Sequence, residues 1–225
     1  MSTAEPADLT AVAQDYLKVI WTAREWSTAP VTTKLLAARL RVGAPTVSEM
    51  VRRLGAQGLV DHAPYGSIEL TALGRAHAVA MVRRHRLIET LLVQELGYSW
   101  DEVHDEAEVL EHAVSDLLVE RIAARLGHPD RDPHGDPIPT ADGHVPTPAA
   151  QRLWDLGPGE WVLARVSDAD PGVLRLCAAH GLRPDVRITV VAARAGDGPI
   201  ALRVGGRELT LEERPASALW VLPAT

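Results

Sequence analysis

The chain has 225 residues, 46% of them hydrophobic and 24% charged, enough to bury a proper core and to divide into more than one domain. No stretch approaches the roughly 18 uninterrupted apolar residues of a membrane span, and the polar start MSTAEPADLT is unlike a signal peptide, so neither a membrane partner nor export is expected. The formal charge of −7 argues against a nucleic-acid partner only until it is divided: residues 1–90 carry +3 and the remainder −10. A single cysteine, Cys177, excludes an internal disulfide, fits a reducing cytoplasm and is expected to pack as a small apolar residue.

In chain order, ADLTAVAQDYLKVIWTAREW places Leu9, Val12, Ala13, Tyr16, Leu17, Ile20 and Trp21 at helical spacing. VTTKLLAARLRVGAPTVSEMVRRLGAQGLV reads as helix, turn at Gly43 and second helix, with Thr32 or Thr33 capping the first and Pro45 in the first turn of the second. LVDHA and SIELT then flank a Pro/Gly turn as two short strands, with Tyr65–Gly66 at the tip. Helix, helix–turn–helix and hairpin in this order predict a winged helix over residues 1–75.

Residues 76–126 read as two long helices, the first ending at Gly97 and the second running from an Asp101 N-cap to Gly127. Val103, Ala107, Leu110, Val114, Leu117 and Leu118 line one face of the second, and so much apolar surface predicts self-association. Residues 127–150, dense in Pro, Gly and Asp, read as a linker, so the helical domain with this linker at its end covers 76–147. EWVLARV, VRITVVAA, PIALRVGG, RELTLEE and ALWVLPA are short strands, with a helix in DADPGVLRLCAAHGL. They predict an SH3-like β-barrel over 148–225. The fold class expected is therefore mainly α with a small β domain.

One stretch of the second helix carries chemistry. In HDEAEVLEH, His104, Glu108, Glu111 and His112 fall within an arc of roughly 100°, two imidazoles and two carboxylates with no cation among them. The pairs His104–Glu108 and Glu108–His112 are four residues apart, and this face lies about 120° from the apolar stripe. The preceding helix offers His85 and Glu89 at the same spacing, and facing helices with His and Glu pairs are a recurrent metal site. The bland alternative is a solvated face whose acids and imidazoles pair elsewhere. No His-Glu-x-x-His is present, which excludes a zinc protease of that type.

AQDYLKVIW, GAPTVSEMVRRL, GLVDH, VRRHRLIE, VHDEAEVLEHAVSD and DPHGDPIP together resemble the diphtheria toxin repressor family of metal-dependent repressors, in particular its manganese transport regulators. The resemblance spans nearly the whole chain and implies a FeoA-like SH3 domain at the end. It also implies two Mn²⁺ sites per subunit, with Fe²⁺ or Co²⁺ able to bind in vitro. The primary site would use Asp15, Glu108, Glu111 and His112. The ancillary site would use His85, Glu89 and His104, completed from the SH3-like domain by Asp168 or Asp170. By the helix wheel Asp15 lies opposite the core-packing face of its helix.

Two departures from family patterns bear on the metal. Iron-responsive members place sulfur ligands where this chain has Asp15 and Glu108, and hard carboxylates there suit Mn²⁺. Some manganese regulators have a further acid where Lys18 stands, and an ammonium there favours two separated ions over a tight pair.

The second helix of a helix–turn–helix reads the major groove with its N-terminal end. This points to Ala44, Pro45, Thr46, Val47, Ser48 and Glu49 at base edges, Pro45 and Val47 against thymine methyls, and to Thr33, Lys34, Arg52 and Arg53 at phosphates. The expected protein is a cytoplasmic homodimer on a palindromic double-stranded operator: a manganese-dependent repressor of manganese homeostasis genes, not an enzyme. Iron dependence is the alternative within the family. A carboxylate-bridged metalloenzyme would want a repeated metal motif, whereas only one set, Glu108, Glu111 and His112, is present. A regulator with an organic ligand would leave the His/Glu pairs unexplained. His62, His77, His128, His134, His144 and His180 read as surface or packing residues.

Overall fold

The computed structural model describes residues 9–25, 27–62, 66–192, 196 and 198–224. They fall into two compact units, one within Met1–Arg84 and Pro139–His144, the other within His85–Ile138 and Val145–Thr225.

The first unit is the winged helix. Helices α1 (Ala11–Glu25), α2 (Thr33–Leu40) and α3 (Ala44–Ala56) precede the antiparallel strands β1 (Val60–His62) and β2 (Ile68–Leu70). Thr32 caps α2 by accepting from the Leu35 amide at 3.2 Å, and Arg41 ends that helix in the left-handed region. Pro45 sits in the first turn of α3, where its missing N–H costs nothing. Leu17, Ile20, Leu36, Val47, Leu54 and Ile68 are fully buried and form the core. Val12, expected in that core, is 52% exposed: the buried face of α1 is centred on Tyr16, Leu17 and Ile20 instead. Tyr65 of the expected wing tip lies outside the described residues. Helix α4 (Ala72–Leu96) starts hard against β1, since a Cβ on Gly74 would lie 1.8 Å from the Leu59 carbonyl oxygen.

In the second unit, the later turns of α4 pack Leu87, Ile88 and Leu92 against Val103 and Ala107 of α5 (Val103–Leu110) and Val119 and Ile122 of α6 (Asp116–Arg125). The expected single helix over 101–126 is thus two. Ser115 restarts the chain, its hydroxyl accepting from the Leu118 amide at 3.3 Å, with Asp116 favourably placed in the first turn. Ser115→Ala should cost about 1 kcal/mol and lower the midpoint of thermal unfolding by about 2–4 °C, as followed by circular dichroism. Asp101 is not the N-cap of α5: that position is Glu102, which makes no side-chain cap, and Asp101 lies 3.5 Å from Arg175.

The largest revision concerns the expected linker. Residues 140–149 are mostly exposed, but Asp132, His134, Asp136 and Ile138 are buried. They form a strap whose backbone closes on itself (Asp132 N to Asp136 O, 3.0 Å; Gly135 N to Asp132 O, 3.1 Å) and bonds to the next domain (Val166 N to His134 O, 2.8 Å). Composition predicts a loop here correctly; it says nothing of burial, because the partners of the strap's polar groups include Arg86, Trp100 and Arg165, distant in sequence.

The C-terminal part is a six-stranded antiparallel sheet in the order β3 (Gln151–Arg152), β8 (Leu219–Pro223), β4 (Gly159–Val166), β5 (Arg187–Ala192), β6 (Ile200–Val204), β7 (Arg207–Leu211). Helix α7 (Pro171–Ala179) follows β4, and a short α8 (Glu213–Ser217) precedes β8. All five expected strands and the helix form. Cys177 is fully buried in the core, and burial pushes its thiol up to about 12, so it packs and does not react. A register shift between Leu163 and Arg165 bulges β4 and leaves Arg165 only 6% exposed, facing the strap.

Candidate metal centre

The second unit gathers side chains from three places in the chain. Helix α4 projects His85 and Glu89 one turn apart, α5 projects His104, and the loop after β4 supplies Asp168. Glu89 Oε1 lies 3.0 Å from His85 Nε2 and 3.3 Å from His104 Nδ1; the two ring nitrogens are 3.1 Å apart, and Asp168 Oδ2 is 3.1 Å from His104 Nδ1. One donor atom from each residue lies within 4.8 Å of every other. His85 and Glu89 are buried, while the His104 and Asp168 side chains are 33% and 24% exposed and open the cluster to solvent.

These groups fit a hard or borderline divalent cation. The contacts of 3.0–3.3 Å are hydrogen bonds among two imidazoles and a carboxylate, donor types that would turn to such an ion. The electrostatics run the same way. Burial works against ionised Glu89, yet the His85, His104 and His134 rings hold it well below the usual carboxylate range. Burial likewise works against a charged His104, but hydrogen bonds to Asp168, Glu108 and Glu89 outweigh it and raise its pKa; the same contact lowers that of Asp168.

The His85 ring reaches further. Its Nδ1 is 2.5 Å from Glu111 Oε2, and Glu111 Oε1 is 3.6 Å from His112 Nε2. Glu111 is fully buried at the end of α5, whereas Glu108 is exposed, its Oε1 3.5 Å from His104 Nε2. Of the expected primary set, Glu108, Glu111 and His112 therefore lie side by side in this unit. Asp15 lies on α1 in the first unit, half-buried, next but two to the buried Lys18. Of the two candidates expected from the SH3-like domain, Asp168 joins the cluster. Asp170 caps α7 through Gly172 N at 2.9 Å and pairs with Arg214 at 2.6 Å.

Sequence reading missed the layer behind. Arg86 donates to the Pro137 carbonyl at 2.7 Å and lies 3.6 Å from both Asp132 and Asp136, and Arg165 reaches Asp136 at 3.0 Å. His134, read as a surface or packing residue, is fully buried, stacked on Trp100 and bonded through Nε2 to the Trp100 carbonyl at 2.6 Å. Asp132, His134 and Asp136 alternate within DPHGDP, but it is a turn closed by Gly135 N to Asp132 O, not an extended strand, that holds them, so strand periodicity gave no signal.

On the DNA side, Lys34, Ala44, Pro45, Thr46, Ser48, Glu49, Arg52 and Arg53 are exposed and Thr33 is half-buried. Val47 is not available to a thymine methyl, because it is fully buried in the winged-helix core. Glu49 and Arg52 hold one another by two hydrogen bonds, at 2.7 and 3.0 Å.

Known proteins match this arrangement along almost the whole chain. Residues 8–68 match the N-terminal DNA-binding domain of iron dependent repressors, 71–140 their metal binding and dimerisation domain, and 152–223 the FeoA domain. The iron-dependent repressor IdeR of Mycobacterium leprae is 33% identical over 95% of this chain and 98% of its own. The diphtheria toxin repressor of Corynebacterium efficiens is 40% identical over 80% of this chain and 71% of its own. A solved manganese-dependent transcriptional repressor in complex with manganese superposes with a TM-score of 0.90 at 56% identity, covering 94% of this chain and all of that one. The DNA-binding domain, the metal binding and dimerisation domain and the FeoA domain carry these matches together: the chain belongs to the diphtheria toxin repressor family and is a metal-dependent transcriptional repressor.

Proposed function

We propose that this repressor answers to Mn²⁺ and controls manganese homeostasis genes from a palindromic operator in the cytoplasm. One observation carries the metal half of the reading: His85, Glu89, His104 and Asp168 converge within 4.8 Å, and His85 links that cluster to Glu111. In this reading they form the ancillary site, and Asp15, Glu108, Glu111 and His112 form the primary one. Asp15, Glu89, Glu108, Glu111 and Asp168 carry five negative charges, of which two divalent ions would offset four, easing repulsion of phosphate.

The larger effect is geometric. By sharing one ion, Asp15 on α1 and the 108–112 segment would fix the winged helix against the dimer core. That sets the spacing of two α3 helices on successive major grooves. Linkage then requires DNA to raise metal affinity by the factor that metal raises DNA affinity.

Manganese over iron is supported by carboxylates in place of softer donors at Asp15 and Glu108, and by the 56% identity to a manganese-dependent repressor solved in complex with manganese. The iron reading draws on the 33% identity to IdeR. Glu108→Cys separates them. A thiolate should move the metal ranking from Mn²⁺ towards softer ions in a competitive titration, and an unchanged ranking would refute the assignment of Glu108.

Proton competition gives a second check. His104, with its raised pKa, is protonated in the metal-free chain at neutral pH, and binding a metal must displace that proton. Mn²⁺ affinity should therefore fall on acidification, by about tenfold per pH unit for one proton displaced. Calorimetry in two buffers of different ionisation enthalpy counts the proton released.

The deciding test is binding to a palindromic duplex with and without Mn²⁺. Binding that ignores the metal, or no binding at all, would defeat this reading.

A further inference from the structure

Behind the cluster, two buried polar atoms face one another with no hydrogen bond to either among the described residues. Glu89 uses Oε1 for His85 and His104, while its Oε2 has no hydrogen bond among the described residues. His134 donates from Nε2 to the Trp100 carbonyl, an acceptor only, and its Nδ1 likewise has no hydrogen bond. Oε2 and Nδ1 are 3.8 Å apart, and both side chains are at least 99% buried. Buried polar groups of this kind are ordinarily satisfied. A proton on Nδ1 does not satisfy them, since 3.8 Å is beyond hydrogen-bond length. It does lie within the roughly 4.2 Å that separates two donors each about 2.1 Å from one ion. One donor atom from each of Glu89, Asp132 and His134 lies within 4.8 Å of the others.

We propose that Glu89, Asp132 and His134 form a third position for a divalent transition-metal ion, with Glu89 bridging it to the His85/Glu89/His104/Asp168 cluster through its second oxygen. One imidazole and two carboxylates suit Mn²⁺, Fe²⁺ or Zn²⁺. Arg86 Nε, 3.6 Å from Asp132 Oδ2, competes for that carboxylate, so the position fills after the cluster beside it. Nε2 keeps its hydrogen on the Trp100 carbonyl, which leaves Nδ1 as the ring nitrogen that would meet the ion.

The inference goes beyond the sensor reading, and its test does not use DNA. Equilibrium dialysis of the full chain against excess Mn²⁺, with the metal counted by mass spectrometry, should find one ion fewer per chain in His134→Gln than in the parent. An unchanged count in a folded variant overturns the proposal. The unsubstituted protein provides a measurement independent of that variant's folding. Nitrogen NMR should show the His134 Nδ1 resonance shifting when Zn²⁺ is added past saturation of the neighbouring cluster, and a His134 ring spectrum that excess Zn²⁺ leaves unchanged overturns it equally.

Discussion

Asp15→Ala should abolish the manganese response of DNA binding while leaving the dimer intact. In the proposed mechanism Asp15 is the one ligand contributed by the winged-helix unit; the other three follow one another at the end of α5. Its loss leaves Glu108, Glu111 and His112 free to bind an ion without tying that ion to α1. The variant should therefore keep part of its metal affinity and lose the coupling. Typical couplings of this kind are worth about 5–150-fold in affinity, so DNA binding at saturating Mn²⁺ should fall by about that factor, to the metal-free value. Glu108→Ala should do the same from the other side. Glu108 is exposed and Asp15 half-buried, and neither belongs to an apolar core, so unfolding should move by no more than about 0.5 kcal/mol. Fluorescence anisotropy on a palindromic duplex, with light scattering for the oligomer, reads both quantities. If both variants still respond to metal, the primary site lies elsewhere.

The residues of these sites differed in how legible they were. His85–Glu89 and His104–Glu108 stand at helical spacing, so periodicity alone places each pair on one face, and their order behind a helix–turn–helix supplies the rest. Val47 shows the limit: at the N-terminal end of a recognition helix one residue in each turn faces inward, and which one it is depends on packing against α2. The break before Ser115 was legible in principle as Ser-Asp ahead of an apolar run, but the continuous 3.6-residue pattern on either side masked it. The strap was not legible from composition. Asp, Pro and Gly report backbone that avoids helix and strand, whether solvated or buried, while Arg86 and Arg165, 46 residues before Asp132 and 33 after it, are among the partners that give those acids a reason to be inside.

Gly135→Ala should be the most damaging single-methyl change near the metal centre. The residue has φ +90, which disfavours any side chain, and its Cβ would lie 2.2 Å from the Ala164 carbonyl oxygen and 2.9 Å from the Arg165 Cα. Both neighbours are backbone on the bulged strand β4, so no rotamer change relieves the overlap, and strap and strand must separate. The cost is the left-handed penalty plus that of forced overpacking, about 2–4 kcal/mol together, or about 5–15 °C in unfolding midpoint. Separation also breaks Val166 N to His134 O, two residues before Asp168, so hydrogen-exchange protection of the Val166 amide should collapse first. Gly143→Ala is the matched control: φ is +83 there, but nothing lies within 4 Å of the added Cβ, and only the backbone penalty of about 1 kcal/mol should appear. Equal losses in the two variants would mean that the approach of Gly135 to β4 contributes nothing. A larger loss at Gly135, with weakened Mn²⁺ binding at the cluster containing Asp168, would show that the strap positions the SH3-like domain's ligand.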